Sequence, residues 1–213
     1  MVEFETRMTA RDEILQRIRK AVPTSAAEEP VARTYRLTGS LTAEQRLELF
    51  RQRLHDYGST VHLCEMDGVA GCVGEVLLGR TRGAIVIPPD LRSHWLPSGI
   101  TFVRDEGLSF AELDQSDGVL TACTVGIATT GTIVLQEGLE QGRRALTLVP
   151  DYHLCIVRSE QIVETVPEAF QVLLPGKTCA TTFISGPSAT SDIEMTRIKG
   201  VHGPRILEVI VVI

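Results

Sequence analysis

At 213 residues, with 43% hydrophobic and 23% charged side chains, the chain has the composition of a globular protein with one sizeable core. A net charge of −6 without any Lys/Arg block, and an aromatic share of 5%, speak against a nucleic-acid or anionic-membrane binder. No apolar run approaches a membrane span, and Glu3, Glu5, Asp12 and Glu13 stand where a secretion signal would be basic and then apolar, so the expectation is a cytoplasmic protein.

Residues 9–22 read as an amphipathic helix, with Ile14, Leu15, Ile18 and Val22 on one face and Arg17, Arg19 and Lys20 toward its end. The small, polar, proline-bracketed stretch after it is a linker, so the expected organisation is a helical arm at 1–22, a linker at 23–34 and one α/β domain at 35–213. Thr42-Ala43-Glu44-Gln45 is a capping box that opens a helix closed by Gly58. A strand at 59–64, a helix at 67–78 and an apolar strand at 83–87 ended by Pro88-Pro89 follow. This βαβ rhythm predicts a parallel or mixed sheet with flanking helices, and ligand sites at the carboxyl ends of its strands.

From Asp117 the rhythm changes to a hairpin-rich half, with strands at about 119–127, 131–136, 145–149, 153–158 and 161–163. A helix at 166–174, a strand at 180–185 and a terminal strand at 206–212 complete the chain.

The stretch Ser185-Gly186-Pro187-Ser188-Ala189-Thr190-Ser191-Asp192-Ile193-Glu194 breaks that penultimate strand with a proline, then offers Ser188, Thr190 and Ser191 as N-caps of a following helix. Such a helix start attracts a phosphate or carboxylate, or else Asp192 and Glu194 simply neutralise its dipole. Of five histidines, His202 lies in a Gly-flanked loop before Gly203-Pro204, and His153 stands at a strand entry. His202, Asp192 and Glu194 are the candidate acid–base groups. Candidate ligand contacts are Thr130, Gly131 and Thr132 in one turn, Arg143 beside Arg144, His153, Ser185, Gly186, Pro187, Ser188, Thr190, His202 and Gly203. Cys64, Cys72, Cys123, Cys155 and Cys179 form no CxxC pair, which fits reduced thiols and predicts no metal or iron–sulfur cluster bound by this chain.

Arg11 to Val22, the turn from Gly126 to Thr132, Pro150 with His153, the stretch from Ile184 to Glu194, and Gly200-Val201-His202-Gly203-Pro204 together resemble the lactate utilization protein C family of LUD-domain proteins. The resemblance implies a fold similar to the ribose-phosphate isomerase, glucosamine-phosphate deaminase and CoA-transferase group. It also implies a part in oxidising L-lactate to pyruvate beside iron–sulfur partner proteins, which would carry the clusters. The family turn reads Ala-Glu-Thr-Gly-Thr, whereas this chain has Ala128-Thr129-Thr130-Gly131-Thr132. Thr129 cannot act as the general base a glutamate would be, so the expected role is an accessory or ligand-binding subunit that holds a small anion. The alternative is a stand-alone isomerase or acyl/CoA-transferase-like enzyme.

Overall fold

Strand β12 (Ile206–Val212) and strand β7 (Tyr152–Arg158) pair in parallel over seven residues, and the rest of the fold is built outward from them. The computed structural model describes residues 9–22, 34–81, 83–173, 179–190, 198–199 and 203–213. β1 (Thr60–Cys64) lies on the outer side of β12, and β4 (Gly118–Ala122), β2 (Ala84–Ile87) and β3 (Thr101–Arg104) follow β7 on the other side. All of these pairings are parallel, in the order β1-β12-β7-β4-β2-β3.

A parallel sheet of this kind is covered on both faces, so its strands read as continuous apolar runs. On β7, Leu154 and Ile156 face helix α3 (Val69–Leu77) and Trp95, together with Leu120, Ile210 and Val212. Cys155 and Val157, with Val209 and Val211, face the other way, against Phe50 and Leu54 of helix α2 (Ala43–Asp56) and against a second sheet. That sheet has the order β8-β5-β6-β9, from β5 (Val125–Ile127), β6 (Thr132–Gln136), β8 (Ile162–Val163) and β9 (Thr181–Ile184). β6 is antiparallel to β5 and β9, while β8 runs parallel to β5. Helix α5 (Val166–Val172) packs through Ala169 on Val125, Ile127 and Val134.

Four expectations change. The run at 119–127 is two strands in different sheets, broken at Cys123-Thr124. The run at 153–158 is no hairpin arm but a central parallel strand. The strand expected at 145–149 is a 3-10 turn, Arg144–Thr147, which drives Leu146 into a cluster with Val86, Leu113 and Val119. Ala189–Thr190 is a strand, β10, paired antiparallel with β11 (Ile198–Lys199), so no helix starts directly after Ser188, and the helix expected from Thr190 or Ser191 onward lies outside the described residues. β3 and helix α4 (Phe110–Asp114) were not anticipated.

The chain divides into two units, Met1–Tyr35 and Arg36–Ile213. In the first, helix α1 (Ala10–Ala21) is opened by a capping box between Thr9 and Asp12, and Ile14 and Ile18 are more than half exposed. In the second, residues 36–41 are tied down by Glu164, whose carboxylate accepts from Ser40 N–H and Leu41 N–H at 2.6 Å each and pairs with Arg36. Among the described residues no helix is long and apolar enough to cross a membrane.

The Leu41 N–H bond, followed by those from Ser40 and Arg36, holds the Glu164 carboxyl below its usual 4.5 against the opposing effect of burial. A depressed carboxyl contributes stability that is present above the unfolded value and lost as pH falls through the folded one. Acidifying below 4.5 should therefore release residues 36–41, read as loss of hydrogen-exchange protection at the Ser40 and Leu41 amides, and Glu164→Gln should remove that protection already at neutral pH. Leu146→Ala, which empties a fully buried site, should lower stability by roughly 2–5 kcal/mol in denaturant unfolding.

Candidate functional site

Two chain segments meet above the second residues of β7 and β12. Pro204 accepts a hydrogen bond from Ser188 N–H at 2.8 Å, which joins the turn after β9 to the entry of β12. Beneath this junction lies a cleft of about 320 Å³, with Arg144, Thr147, His153 and Leu207 on one side and residues 182–188 on the other. It sits at the amino ends of the parallel strands and not at their carboxyl ends, because the turns that enter β7 and β12 carry its polar groups.

His153 is fully buried beside the floor of the cleft, with Nε2 2.8 Å from Thr121 Oγ1 on β4. Its Nδ1 has no hydrogen-bond partner among the described residues. Thr121 Oγ1 is also 3.9 Å from Cys155 Sγ, two residues further along the same face of β7. Burial would raise the Cys155 thiol, but the neighbouring Cys123, His153 and Thr121 outweigh it and bring it down to about 6. Cys123, which lends its proton to that sulfur, is pushed well above its ordinary value by this bond and then by burial.

Arg144 lines the cleft, and its Nη1 donates to Thr147 O and Thr147 Oγ1, both at 2.9 Å. A guanidinium has five donors in a planar fork, more than these contacts use. Burial lowers the Arg144 pKa somewhat, yet the group stays a cation. Arg143, the expected ligand contact, is turned elsewhere: Nε and Nη2 donate to Asp105 Oδ2 and Oδ1 at 2.7 and 3.0 Å, and Nη2 also reaches Leu108 O. At the start of a 3-10 turn, adjacent side chains point in different directions, so one arginine braces the loop at Asp105 and the next faces the cleft.

Of the remaining expected contacts, Ser185, Gly186, Pro187, Ser188 and Gly203 line the cleft. Thr130, Gly131 and Thr132 stand outside its lining and reach it through hydroxyls, Thr130 to Thr132 to Ser185, at 2.7 Å per step. Thr190 lies in β10, while Ser191, Asp192, Glu194 and His202 fall outside the described residues. Among the residues that sequence reasoning passed over are Thr147 and Thr182 in the lining and Thr121 beside His153. Thr121 carries a signal, a lone hydroxyl within an otherwise apolar buried strand.

Two of the candidate contact glycines lie close against helix α2 and its C-cap Tyr57. Gly131 has φ +57°, and a Cβ there would lie 2.6 Å from Arg53 Cβ; Gly186 has φ +81°, and a Cβ there would lie 2.6 Å from Tyr57 Cβ. Among the described residues no three His, Cys, Asp or Glu side chains come together in a way that could hold a metal ion.

Residues 47–212 match the LUD domain family model. The chain belongs to the LUD-domain family. It is 40% identical to the lactate utilization protein C of Deinococcus radiodurans, over the whole of both chains. With the protein of that name from Shouchella clausii it shares 33% identity over 47% of this chain and 46% of the relative. A crystal structure of a DUF162 family protein from Deinococcus radiodurans superposes with a TM-score of 0.71 at 38% identity, covering 81% of this chain and 99% of that one. The LUD-domain match spans both sheets and includes every residue that lines the cleft.

Gly131→Ala and Gly186→Ala should each destabilise the LUD domain by roughly 1–3 kcal/mol, since both force a side chain into positive φ against α2; a lowered Tm without ligand is the measurement. Arg143 holds the Asp105 carboxyl below its usual 3.8 despite burial. That contribution is present above 3.8 and fades as pH falls through the lower folded value. Arg143→Ala should therefore lower stability at neutral pH, and the loss relative to the unaltered protein should shrink in acid.

Proposed function

We propose that this protein serves L-lactate utilization as a ligand-binding or accessory subunit, working with iron–sulfur partner proteins that carry the redox clusters, and that its cleft holds a small anion. The similarity to a lactate utilization protein C over the full length of both chains supports the metabolic setting. The observation that carries the ligand reading is the pairing of one cationic fork, Arg144, with a buried imidazole, His153, on the wall of a single cleft.

Arg144 attracts and orients the anion, and Thr147 fixes the plane of its guanidinium. Ser185 and Ser188 place hydroxyls at the rim, and His153 meets the ligand from below. A cleft of about 320 Å³ suits a metabolite of a few heavy atoms rather than a whole dinucleotide. The two-sheet arrangement is taken as a relative of the ribose-phosphate isomerase, glucosamine-phosphate deaminase and CoA-transferase fold. Thr129 in the family's glutamate position favours a subunit without turnover of its own.

Isothermal titration with L-lactate, pyruvate and inorganic phosphate should detect saturable binding of at least one. Arg144→Gln should weaken it about tenfold or more, the scale of one charge-assisted hydrogen bond. Affinity purification from lactate-grown cells should recover iron–sulfur proteins, and deletion should impair growth on lactate. Absence of binding, of partners and of a growth defect would together reject the reading.

A further inference from the structure

Cys64 and Cys72 form a pair that the cleft does not use. Cys64 is the last residue of β1 and Cys72 stands near the start of α3, and the 3-10 turn Met66–Gly68 between them brings the helix back beside the strand. Their side chains hydrogen-bond each other, and both pack against the cluster that includes Val69, Val73 and Trp95. The pair lies at the carboxyl end of β1, whereas the cleft lies at the amino ends of β7 and β12.

Both residues are half-buried rather than sealed, and the glycines beside them border open space. A Cβ at Gly71 would have no neighbour within 4 Å, and one at Gly68 would meet Cys64 Cβ alone, at 4.0 Å. Cys123 and Cys155 hydrogen-bond each other too, but Cys123 is only 3% exposed and Cys155 0%. Cys179 accepts from Gln136 Nε2 at 3.6 Å. Among the described residues, Cys64 and Cys72 are thus the thiols that combine mutual contact with access. From such contact, a disulfide with its sulfurs about 2 Å apart asks for side-chain rotation and a small backbone shift.

We propose that Cys64 and Cys72 are a reversible disulfide site, oxidised by hydrogen peroxide and reduced by a dithiol. Cys64 donates the hydrogen of the shared bond, so Cys72 is the nucleophile. Its thiolate attacks one peroxide oxygen, the O–O bond breaks, and Cys72 becomes a sulfenic acid while the other oxygen takes up the thiol's proton and leaves as water. The Cys64 sulfur then attacks the sulfenic sulfur; the S–S bond forms, the S–O bond breaks, and the departing hydroxide leaves with the Cys64 proton as a second water. Two thiols lose two hydrogens and two electrons, and one peroxide is reduced. A dithiol reverses the bond by exchange and becomes a disulfide itself. The bond fastens the start of α3 to the end of β1, where Cys64 O also accepts Ile213 N–H at 2.9 Å. Burial and then Cys72, with Glu65 acting the same way, push the Cys64 thiol up to about 11. Burial and Glu75 hold Cys72 above its usual 9.0, although the bond from Cys64 offsets part of this. Thiolate is the attacking form, so formation is slow at neutral pH and quickens in alkali.

The test adds hydrogen peroxide to the folded full-length protein, alkylates the remaining thiols with iodoacetamide in denaturant and digests with trypsin. Both cysteines fall in one fragment, since no Lys or Arg lies between Arg53 and Arg80. After peroxide that fragment should lose both alkyl groups and two hydrogens, and dithiothreitol before alkylation should restore two alkylated cysteines. Met66 in the same fragment gains oxygen under peroxide, so the number of alkylated cysteines is the readout. Cys64→Ser and Cys72→Ser should each abolish the internal bond, and formation in the unaltered protein should be faster at alkaline than at neutral pH. A fragment that keeps two alkylated cysteines, cysteines that take up oxygen separately, or a bond to the fragment of another cysteine overturns the proposal. So does a loss of alkylation that dithiothreitol fails to reverse. A rate that falls in alkali overturns the thiolate step.

Discussion

The central constraint is that β7 and β12 are flanked on both sides and covered on both faces. Water does not reach such strands, so each polar side chain on them must find its partner within the protein. Glu208 on β12 meets Arg80 at 2.5 Å and His62 at 3.1 Å. Cys155 on β7 is met by Cys123, His153 and Thr121. His153 alone in that network reaches an opening, where the strand begins and the covering layer ends.

The covering layer explains why the opening is there. α2 and the second sheet shield the middle of the parallel sheet, and α2 is held close by two turns that present glycine to it, at Gly131 and Gly186. Those same turns end β5-β6 and β9, and the hydroxyls of Thr130, Thr132 and Ser185 link them. The residues beyond Gly186 then pass over the entries of β7 and β12, which leaves a cleft roofed by one sheet's turns and floored by the other's first residues. The packing of α2 and the shape of the cleft are thus one structural matter.

Much of the fold was legible because its signals are local. The Thr42 to Gln45 capping box and the apolar C-terminal run led directly to α2 and β12. Ala145-Leu146-Thr147-Leu148-Val149 misled, since its apolar, β-favouring composition cannot show that the preceding turn commits Arg144–Thr147 to a 3-10 helix. Helix α4 was overlooked although Ser109 and Glu112 form the same S-x-x-E signal that revealed α2 with Gln in the last place. In the site, loop composition pointed to Ser185 through Ser188 and Gly203, and to His153. It could not distinguish Arg143 from Arg144, which differ by one position in a tight turn, nor show that Thr121 stands beside His153, which is a cross-strand contact between residues 32 apart in sequence.

Ring nitrogen-15 spectroscopy of His153, recorded during addition of pyruvate, L-lactate and inorganic phosphate, addresses the site at its decisive atom. The account predicts a saturable shift of the His153 ring nitrogens with at least one of these anions, while the ring of His55 on the exposed side of α2 stays unchanged. A His153 ring indifferent to all three anions at saturating concentration would contradict it.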